Sequence, residues 1–260
     1  MAGLALPERC ELEKLQGSNR PFSWAKLKLA ILGLSFPGRC LSCGHMSEEV
    51  FCNLCRQKLQ LLGPPFCPHC GEPQSKEQDA CPVCPGRPGP LNGIRAIAWY
   101  ENKSPLTLAL TSFKYRGSIA SGQALASFMA AHIDPQWPEG FDMMAPVPLH
   151  KKRLQRRGFN QAAMLAAPLK HPGFKPDLLR RVKNNTPQVD LTRSQRQENV
   201  KDIFCLNPRY SVQGLKILLV DDVWTTGSTM RECARVLKQA GAGQVSALTL
   251  CRAPLELEDS

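Results

Sequence analysis

The sequence lacks any apolar run long enough to cross a membrane, since no stretch approaches about eighteen uninterrupted apolar residues. Its beginning also lacks the basic start and apolar core of a signal peptide, because Glu8, Glu11 and Glu13 stand there. Acidic residues are few, 22 Asp and Glu against 33 Lys and Arg, which gives a formal net charge of +11. We therefore predict a cytoplasmic protein without a membrane span, and the charge favours anionic partners such as phosphates or nucleic acid.

Cysteine, by contrast, is abundant, and twelve cysteines in a cytoplasmic chain need an explanation other than disulfides. Four C-x-x-C pairs supply most of them. Their members are Cys40, Cys43, Cys52, Cys55, Cys67, Cys70, Cys81 and Cys84. Each pair can present two thiolates from one turn, and two pairs complete a tetrahedral zinc site. The sequence therefore predicts two structural Zn²⁺ ions.

The pairing of these cysteines is not fixed by their spacing. We group neighbouring pairs, so that the first two pairs bind one zinc ion and the last two bind the other, and crossed pairing is the alternative. His45 and His69 lie nearby, but complete Cys₄ sets make them bystanders. A redox function would need one pair at a helix N-terminus in a βαβ context, which the sequence does not offer. A Pro-rich segment this short has little core of its own, so zinc is predicted to stabilise it.

Composition divides the chain into three predicted parts. Residues 1–37 are an N-terminal extension with a short helix, residues 38–90 form a double zinc ribbon, and residues 91–260 form an α/β domain. The stretch 82–93 is rich in Pro and Gly and marks the second boundary. Strand and helix patterns alternate from residue 94 onward, which predicts a mostly parallel sheet with helices on both faces.

The stretch from Ile217 to Thr229 reads I-L-L-V-D-D-V-W-T-T-G-S-T. A buried strand is predicted to end before Asp221 and Asp222, at the sheet edge where open α/β proteins bind ligands. A turn follows that consists of Thr225, Thr226, Gly227, Ser228 and Thr229. Its hydroxyls and the next helix N-terminus suit a phosphate, whereas the two acids suit the vicinal hydroxyls of a ribose. The alternative is an ordinary strand–turn–helix with solvated acids.

A basic segment lies between another predicted strand and helix, at residues 148–161, and we interpret it as a loop. Lys151, Arg153 and Arg157 are candidate ligands of a polyphosphate, because the segment follows the carboxyl end of a strand. The alternative is a solvated basic face. Residues 150–201 carry most of the net positive charge, and a polar stretch of this length is usually functional or disordered.

The order of the motifs resembles the ComF family of competence-associated, phosphoribosyltransferase-like proteins over residues 30–253. The motifs after the cysteine pairs are K-Y-R-G (114–117), P-V-P-L-H-x-x-R-x-x-x-R-G-F-N-Q (146–161), T-P-Q (186–188), R-x-x-N-V-x-x-x-F (196–204) and D-D-V-W-T-T-G-S-T (221–229). Trp224 is bulkier than the usual aliphatic residue, and Ser228 replaces a more common Gly. The resemblance implies a type I phosphoribosyltransferase fold, phosphoribosyl pyrophosphate (PRPP) as ligand and, in some bacteria, a part in uptake of single-stranded DNA.

Three functions are compatible with this resemblance. In the first, the protein is an enzyme that transfers phosphoribose to an unknown acceptor, with Mg²⁺ bridging the pyrophosphate and ribose oxygens. Alternatively, it is an accessory of DNA uptake that binds single-stranded DNA alongside competence proteins, or a regulator that responds to PRPP. The intact site at residues 221–229 favours the first and third functions, whereas the basic segment and the zinc ribbon favour the second.

Overall fold

A four-stranded parallel sheet lies at the centre of the fold, with its strands in the order β1-β6-β5-β2. These strands are β1 (Gly93–Trp99), β2 (Met143–Pro146), β5 (Lys216–Trp224) and β6 (Gln244–Arg252). Each neighbouring pair is parallel. The α/β architecture with a parallel sheet is therefore confirmed.

The structure is a computed structural model that describes residues 38–75, 81, 84, 89–116, 118–134, 136–183 and 202–254. The predicted N-terminal extension with its helix and the T-P-Q motif lie outside the described residues. Among the described helices, none is both long and apolar enough to span a membrane.

Seven short or medium helices and one antiparallel hairpin are described around the sheet. The helices are α1 (Asn53–Arg56), α2 (Pro105–Arg116), α3 (Ile119–His132), α4 (Gln136–Glu139), α5 (Lys151–Arg157), α6 (Gln161–Ala166) and α7 (Ser228–Gln239). A 3₁₀ turn at Ala167–Leu169 follows α6. The hairpin pairs β3 (Leu179–Arg181) with β4 (Phe204–Leu206). Ser104 caps α2, because its hydroxyl accepts the Thr107 N–H at 3.3 Å.

The aliphatic run of β5 is continuous because both of its faces are buried. Leu218 and Val220 enter a core with side chains of α2, α3 and α6, whereas Ile217 and Leu219 enter a second core with α7 and the hairpin. All four side chains are fully buried. A strand covered by helices on both faces needs apolar residues at every position, so it cannot show a polar alternation.

Two local predictions are wrong. Strand β5 does not end before the acids but continues to Trp224, because β6 remains paired with it up to Arg252. The basic segment after β2 is not a loop, because Lys151–Arg157 forms helix α5, which Gly158 closes in the left-handed conformation. No residue of α5 is buried, so the sequence had no apolar periodicity that would reveal this helix.

The cysteine-rich module packs directly on the sheet domain. The Leu62 N–H donates to the Ile97 carbonyl at 2.9 Å and the Trp99 N–H donates to the Gln60 carbonyl at 3.0 Å, so the module covers the outer edge of β1. Phe51 packs edge-on against Phe128 of α3, with ring centroids 5.3 Å apart. This packing pairs backbone groups that an open sheet edge would leave free. The domain boundary near residue 90 stays a prediction.

Two glycines offer a matched test of this docking. Gly44 and Gly71 follow the first and third cysteine pairs, with φ of 76° and 69°. A Cβ at Gly44 would meet nothing within 4 Å, whereas a Cβ at Gly71 would lie 2.1 Å from the Ile94 carbonyl oxygen in β1. Gly44→Ala should therefore lose only the left-handed preference, about 1–2 kcal/mol. Gly71→Ala should lose clearly more in thermal denaturation of the zinc-loaded protein, and equal losses would contradict the docking.

Candidate functional site

A cavity of about 320 Å³ opens at the carboxyl ends of β2 and β5. Open α/β sheets bind their ligands at this edge. The charged side chains that line it are Lys114, Arg153, Arg157, Arg181, Asp221 and Asp222. Among these described residues four cations face two acids, so the cavity favours an anionic ligand that also carries hydroxyl groups.

The cavity brings together most of the residues that the sequence singles out. Its lining includes Asp221, Asp222, Thr225, Gly227, Ser228, Thr229, Arg153 and Arg157. Thr226 is not part of the lining but shapes the turn, because its hydroxyl lies 3.0 Å from the Ser228 hydroxyl. Lys151 does not line the cavity either and is exposed. Arg153 and Arg157 are one helical turn apart, so they share the face of α5 that points toward the cavity. Lys151 lies on a different face of this helix.

Gly227 shapes the turn that precedes α7. It has φ of 71° and is the N-cap of the helix, so Ser228 and Thr229, which line the cavity, belong to the first helical turn, whose N–H groups have no partner within the helix. Trp224 packs beneath the turn, where a Cβ on Gly227 would lie 2.1 Å from the indole ring. The Arg231 guanidinium covers this ring at 5.5 Å. The bulky Trp224 therefore supports the turn from below and requires glycine above it.

The two acids have different partners. An Asp222 carboxylate oxygen lies 2.8 Å from Lys114 Nζ, and both side chains are largely buried. Burial opposes the charge of Lys114, but Asp222 more than compensates, so the pKa of the ammonium is raised. Lys114 belongs to the K-Y-R-G motif, and sequence reasoning used this motif only to identify the family.

Asp221 is the acid whose negative charge the site stabilises less well. Burial, together with the neighbouring charge of Asp222, raises the pKa of its carboxyl to about 7. The Asp222 N–H donates to one Asp221 carboxylate oxygen at 2.8 Å, and Lys114 and Arg181 offset part of the cost. Asp221 therefore holds a charge that the apo site stabilises poorly, as a ligand-binding carboxylate often does.

Two residues that line the cavity each carry a buried donor without a hydrogen-bond partner in the described part of the chain. These donors are Nε of Arg181, in β3, and Nε2 of Gln161, at the start of α6. Burial and the nearby charge of Arg153 both lower the pKa of Arg181. Donors of this kind need acceptors from a ligand or from water. Sequence reasoning missed Arg181 because nothing in R-R-V-K distinguishes it from Arg180; only strand pairing gives the two different faces.

The eight cysteines form two clusters, grouped by neighbouring pairs. The Sγ atoms of each cluster lie within 4.8 Å of one another, and the separations Cys43–Cys52, Cys67–Cys84 and Cys70–Cys81 are 3.6, 3.5 and 3.6 Å. Zn–S bonds of about 2.3 Å put tetrahedral sulfurs about 3.8 Å apart. The two clusters thus have the donors and dimensions of structural zinc sites.

Backbone amides prepare one cysteine of the second cluster for metal. Burial opposes ionisation of Cys67, but the N–H groups of Cys70 and His69, together with the thiols of Cys84 and Cys70, outweigh it and lower the pKa of the Cys67 thiol to about 7. Thiolates are the form that binds zinc. No described cysteine is in a disulfide.

Comparisons with known proteins agree with this architecture. A family model described as a double zinc ribbon domain matches residues 31–85, and one described as a phosphoribosyl transferase domain matches residues 154–260. The DNA utilization protein YhgH of Salmonella typhi is 33% identical over 232 residues, which cover 84% of this chain and 99% of that protein. Competence protein ComFC of Bacillus subtilis is 33% identical over 213 residues, covering 79% and 85% of the two chains.

Two further similarities are weaker. Competence protein F of Haemophilus influenzae is 28% identical over 232 residues, covering 84% of this chain and 98% of that protein. Among solved structures, a glutamine PRPP amidotransferase from B. subtilis has a TM-score of 0.32 and 18% identity, covering 57% of this chain and 28% of that chain. That last similarity is too low to carry an argument. From the matches along its length, the chain belongs to the ComF family of competence-associated proteins, in which a double zinc ribbon precedes a phosphoribosyltransferase domain.

Proposed function

We propose that the cavity binds PRPP, or a closely related phosphorylated ribose, and that the protein transfers the phosphoribosyl group to an acceptor. The observation that carries this proposal is the combination of a hydroxyl-rich helix N-terminus, two carboxylates and a row of arginines in one cavity. A lone phosphate would be repelled by the acids, and a neutral sugar would leave the arginines without partners. A sugar phosphate with a second polyphosphate group satisfies both sets.

Each part of PRPP has a complementary group in the cavity. The turn at residues 225–229 offers backbone N–H and hydroxyl donors to the 5′-phosphate. Asp221 and Asp222 accept hydrogen bonds from the ribose hydroxyls. Arg153, Arg157 and Arg181 line the side of the cavity to which we assign the pyrophosphate. The three arginines also compensate charge that the leaving pyrophosphate would develop.

Mg²⁺ fits this arrangement, because carboxylate and phosphate oxygens are the ligands it prefers. Only two carboxylates are present among the described lining residues, and Asp222 already pairs with Lys114, so most ligands must come from the sugar phosphate and water. Bound with PRPP, the ion would neutralise pyrophosphate charge. In the transfer, the bond from C1′ to the pyrophosphate oxygen breaks while a bond from C1′ to the acceptor forms, and the acceptor loses its proton. The protein contributes positioning and charge compensation, and we assign no catalytic residue.

Arg181 and Arg180 provide a matched pair for testing the pyrophosphate side. Arg181→Gln should weaken PRPP binding about 10- to 100-fold, because charge-assisted hydrogen bonds contribute about 1.5–3 kcal/mol. Arg180→Gln, the neighbouring position on the other face of β3, should change it less than about twofold. Calorimetry with PRPP and Mg²⁺ measures both, with ribose 5-phosphate as a ligand that lacks the pyrophosphate. Equal effects of the two changes, or no PRPP binding by the unaltered protein, would contradict the proposal. Binding without turnover of any acceptor would favour a PRPP-responsive regulator.

A second candidate function is single-stranded DNA binding in DNA uptake, together with competence proteins. Two observations favour it: the relatives' names, which refer to competence and DNA utilization, and the outer face of α5. Lys151, Lys152 and Arg156 are exposed on this helix, next to the face that lines the cavity. We also propose a cytoplasmic location, because C-x-x-C thiols that form no disulfide suit a reducing compartment. The three-part division of the chain is likewise part of the proposal.

The two faces of α5 can be separated by mutation. Lys152→Ala with Arg156→Ala should flatten the salt dependence of oligonucleotide binding by up to about two units and leave PRPP binding unchanged. Arg153→Ala with Arg157→Ala should mainly weaken PRPP binding. Calorimetry with both ligands on one preparation distinguishes these outcomes. If the unaltered protein binds no single-stranded DNA at low salt, the DNA-binding function is excluded and α5 serves the cavity alone.

A further inference from the structure

A fully buried arginine joins the second cysteine cluster to the sheet. Arg252, the last residue of β6, is 1% exposed. Its Nη1 donates to the Cys70 carbonyl at 2.8 Å, its Nη2 lies 2.9 Å from a Glu72 carboxylate oxygen, and its guanidinium covers the Trp99 ring at 5.5 Å. A charge this deeply buried is destabilising unless its partners are held in place. Arg252 therefore depends on the position of the cysteine-rich module.

A second arginine approaches the same cluster from β1. Arg95 Nη1 lies 3.4 Å from the Cys67 carbonyl oxygen. Four thiolates around Zn²⁺ carry two net negative charges, which two arginines can compensate. The negative charge of a zinc-loaded second cluster thus compensates the positive charges of Arg95 in β1 and Arg252 in β6.

The backbone of Arg252 leads directly to the phosphate turn. Arg252 is in register with Trp224 of β5, and the next N–H along the chain, from Ala253, donates to the Trp224 carbonyl at 2.7 Å. Trp224 in turn lies beneath Gly227 and lines the cavity. One residue, Arg252, therefore contacts the second cluster with its side chain and the base of the candidate phosphate site with its strand.

We infer that Arg252 is a positioning residue that couples zinc occupancy of the second cluster to sugar-phosphate binding. This inference rests on the proposed function. Loss of zinc frees the loop that carries Cys70 and Glu72, and Arg252 then remains buried without its partners. The carboxyl ends of β6 and β5 must shift to relieve that charge, and the turn above Trp224 shifts with them. Because coupling is reciprocal, PRPP must also tighten the second cluster.

Zinc release into a chromogenic chelator measures this coupling on the full-length, zinc-loaded protein. Coupling between sites is typically about 5- to 150-fold, so PRPP with Mg²⁺ should slow the release of one of the two zinc ions by about tenfold. Arg252→Met should reduce this protection to less than about twofold and should release that ion faster even without PRPP. Glu72→Gln is the milder variant if Arg252→Met does not fold, and it should have the same effect to a smaller degree. Arg56→Gln is the matched control, because Arg56 contacts Glu49 and Asn53 at the exposed surface near the first cluster.

Four further results decide the inference. The double variant Asp221→Asn with Asp222→Asn shows whether PRPP acts merely as a zinc ligand in solution, since protection that survives in this variant overturns the coupling. PRPP that binds in calorimetry but protects neither zinc ion overturns it as well. A complete lack of PRPP binding overturns the proposed function, and the coupling falls with it. Unchanged zinc release from ligand-free Arg252→Met would separately show that Arg252 does not anchor the module.

Discussion

Cys67→Ser should remove one zinc ion per chain and most of the soluble protein. Cys67 is 2% exposed in the second cluster, and its backbone carbonyl and that of Cys70 are contacts of Arg95 and Arg252. A structural zinc ion contributes about 10–16 kcal/mol in small zinc-dependent folds, which matches or exceeds the whole stability of a typical domain. Because the module covers β1, its loss should also expose the sheet edge and promote aggregation.

Metal analysis and soluble yield measure this effect. The control is Cys205→Ser, because Cys205 lies in β4 and belongs to neither cluster. That variant should keep two zinc ions and normal solubility. A soluble Cys67→Ser protein with both zinc ions would exclude the second cluster as a structural metal site. Full retention of PRPP binding by a Cys67→Ser protein with one zinc ion would argue against the inferred coupling between the second cluster and the candidate phosphate site.

The sequence predicts those parts of the fold that local pattern controls. The aliphatic run of β5, the capped start of α2 and the four cysteine pairs each depend on residues close together in the chain. Helix α5 could not be predicted in this way, because it has no buried face and its end is set by Gly158. The extent of β5 likewise depends on β6, which lies beyond it in sequence and pairs with it up to Trp224.

The candidate site shows the same limit. Asp221, Asp222 and the turn are contiguous in sequence, so their association with one site could be predicted. Lys114, Arg181 and Gln161 reach the cavity from three separate elements. Lys114 and Gln161 lie in motifs of the family resemblance, but no local pattern assigns any of the three to this cavity. The close approach of Lys114 to Asp222 depends on how α2 packs against β5, which only the three-dimensional arrangement fixes. The sequence also gave no reason to expect different environments for two adjacent acids.

The different environments of Asp221 and Asp222 predict that replacing the two acids has opposite effects on stability but the same effect on PRPP binding. Asp222→Asn removes the partner of Lys114 and leaves a buried ammonium uncompensated, so it should destabilise the ligand-free protein. Asp221→Asn removes a carboxylate whose pKa is raised to about 7 by burial and by Asp222, so it should stabilise it. Both changes remove an acceptor for ribose hydroxyls. Each should weaken PRPP binding about tenfold or more, and the double variant should weaken it further.

The effect of Asp221→Asn on stability should depend on pH. Between about pH 4 and pH 7 the folded protein keeps a proton on Asp221, whereas the unfolded chain, in which the pKa of this carboxyl is near 3.8, releases it. The contribution of Asp221 to the free energy of unfolding therefore becomes unfavourable as pH rises through this range. The gain from Asp221→Asn should therefore be fully developed at pH 8, on the order of 1–4 kcal/mol, and small near pH 4. Thermal denaturation of the ligand-free variants at both pH values measures it, with Asp222→Asn as the matched neighbour. A loss of stability in Asp221→Asn at pH 8 would mean that the carboxylate is well solvated. A gain accompanied by weaker PRPP binding would show that this residue is retained for a ligand and not for the fold.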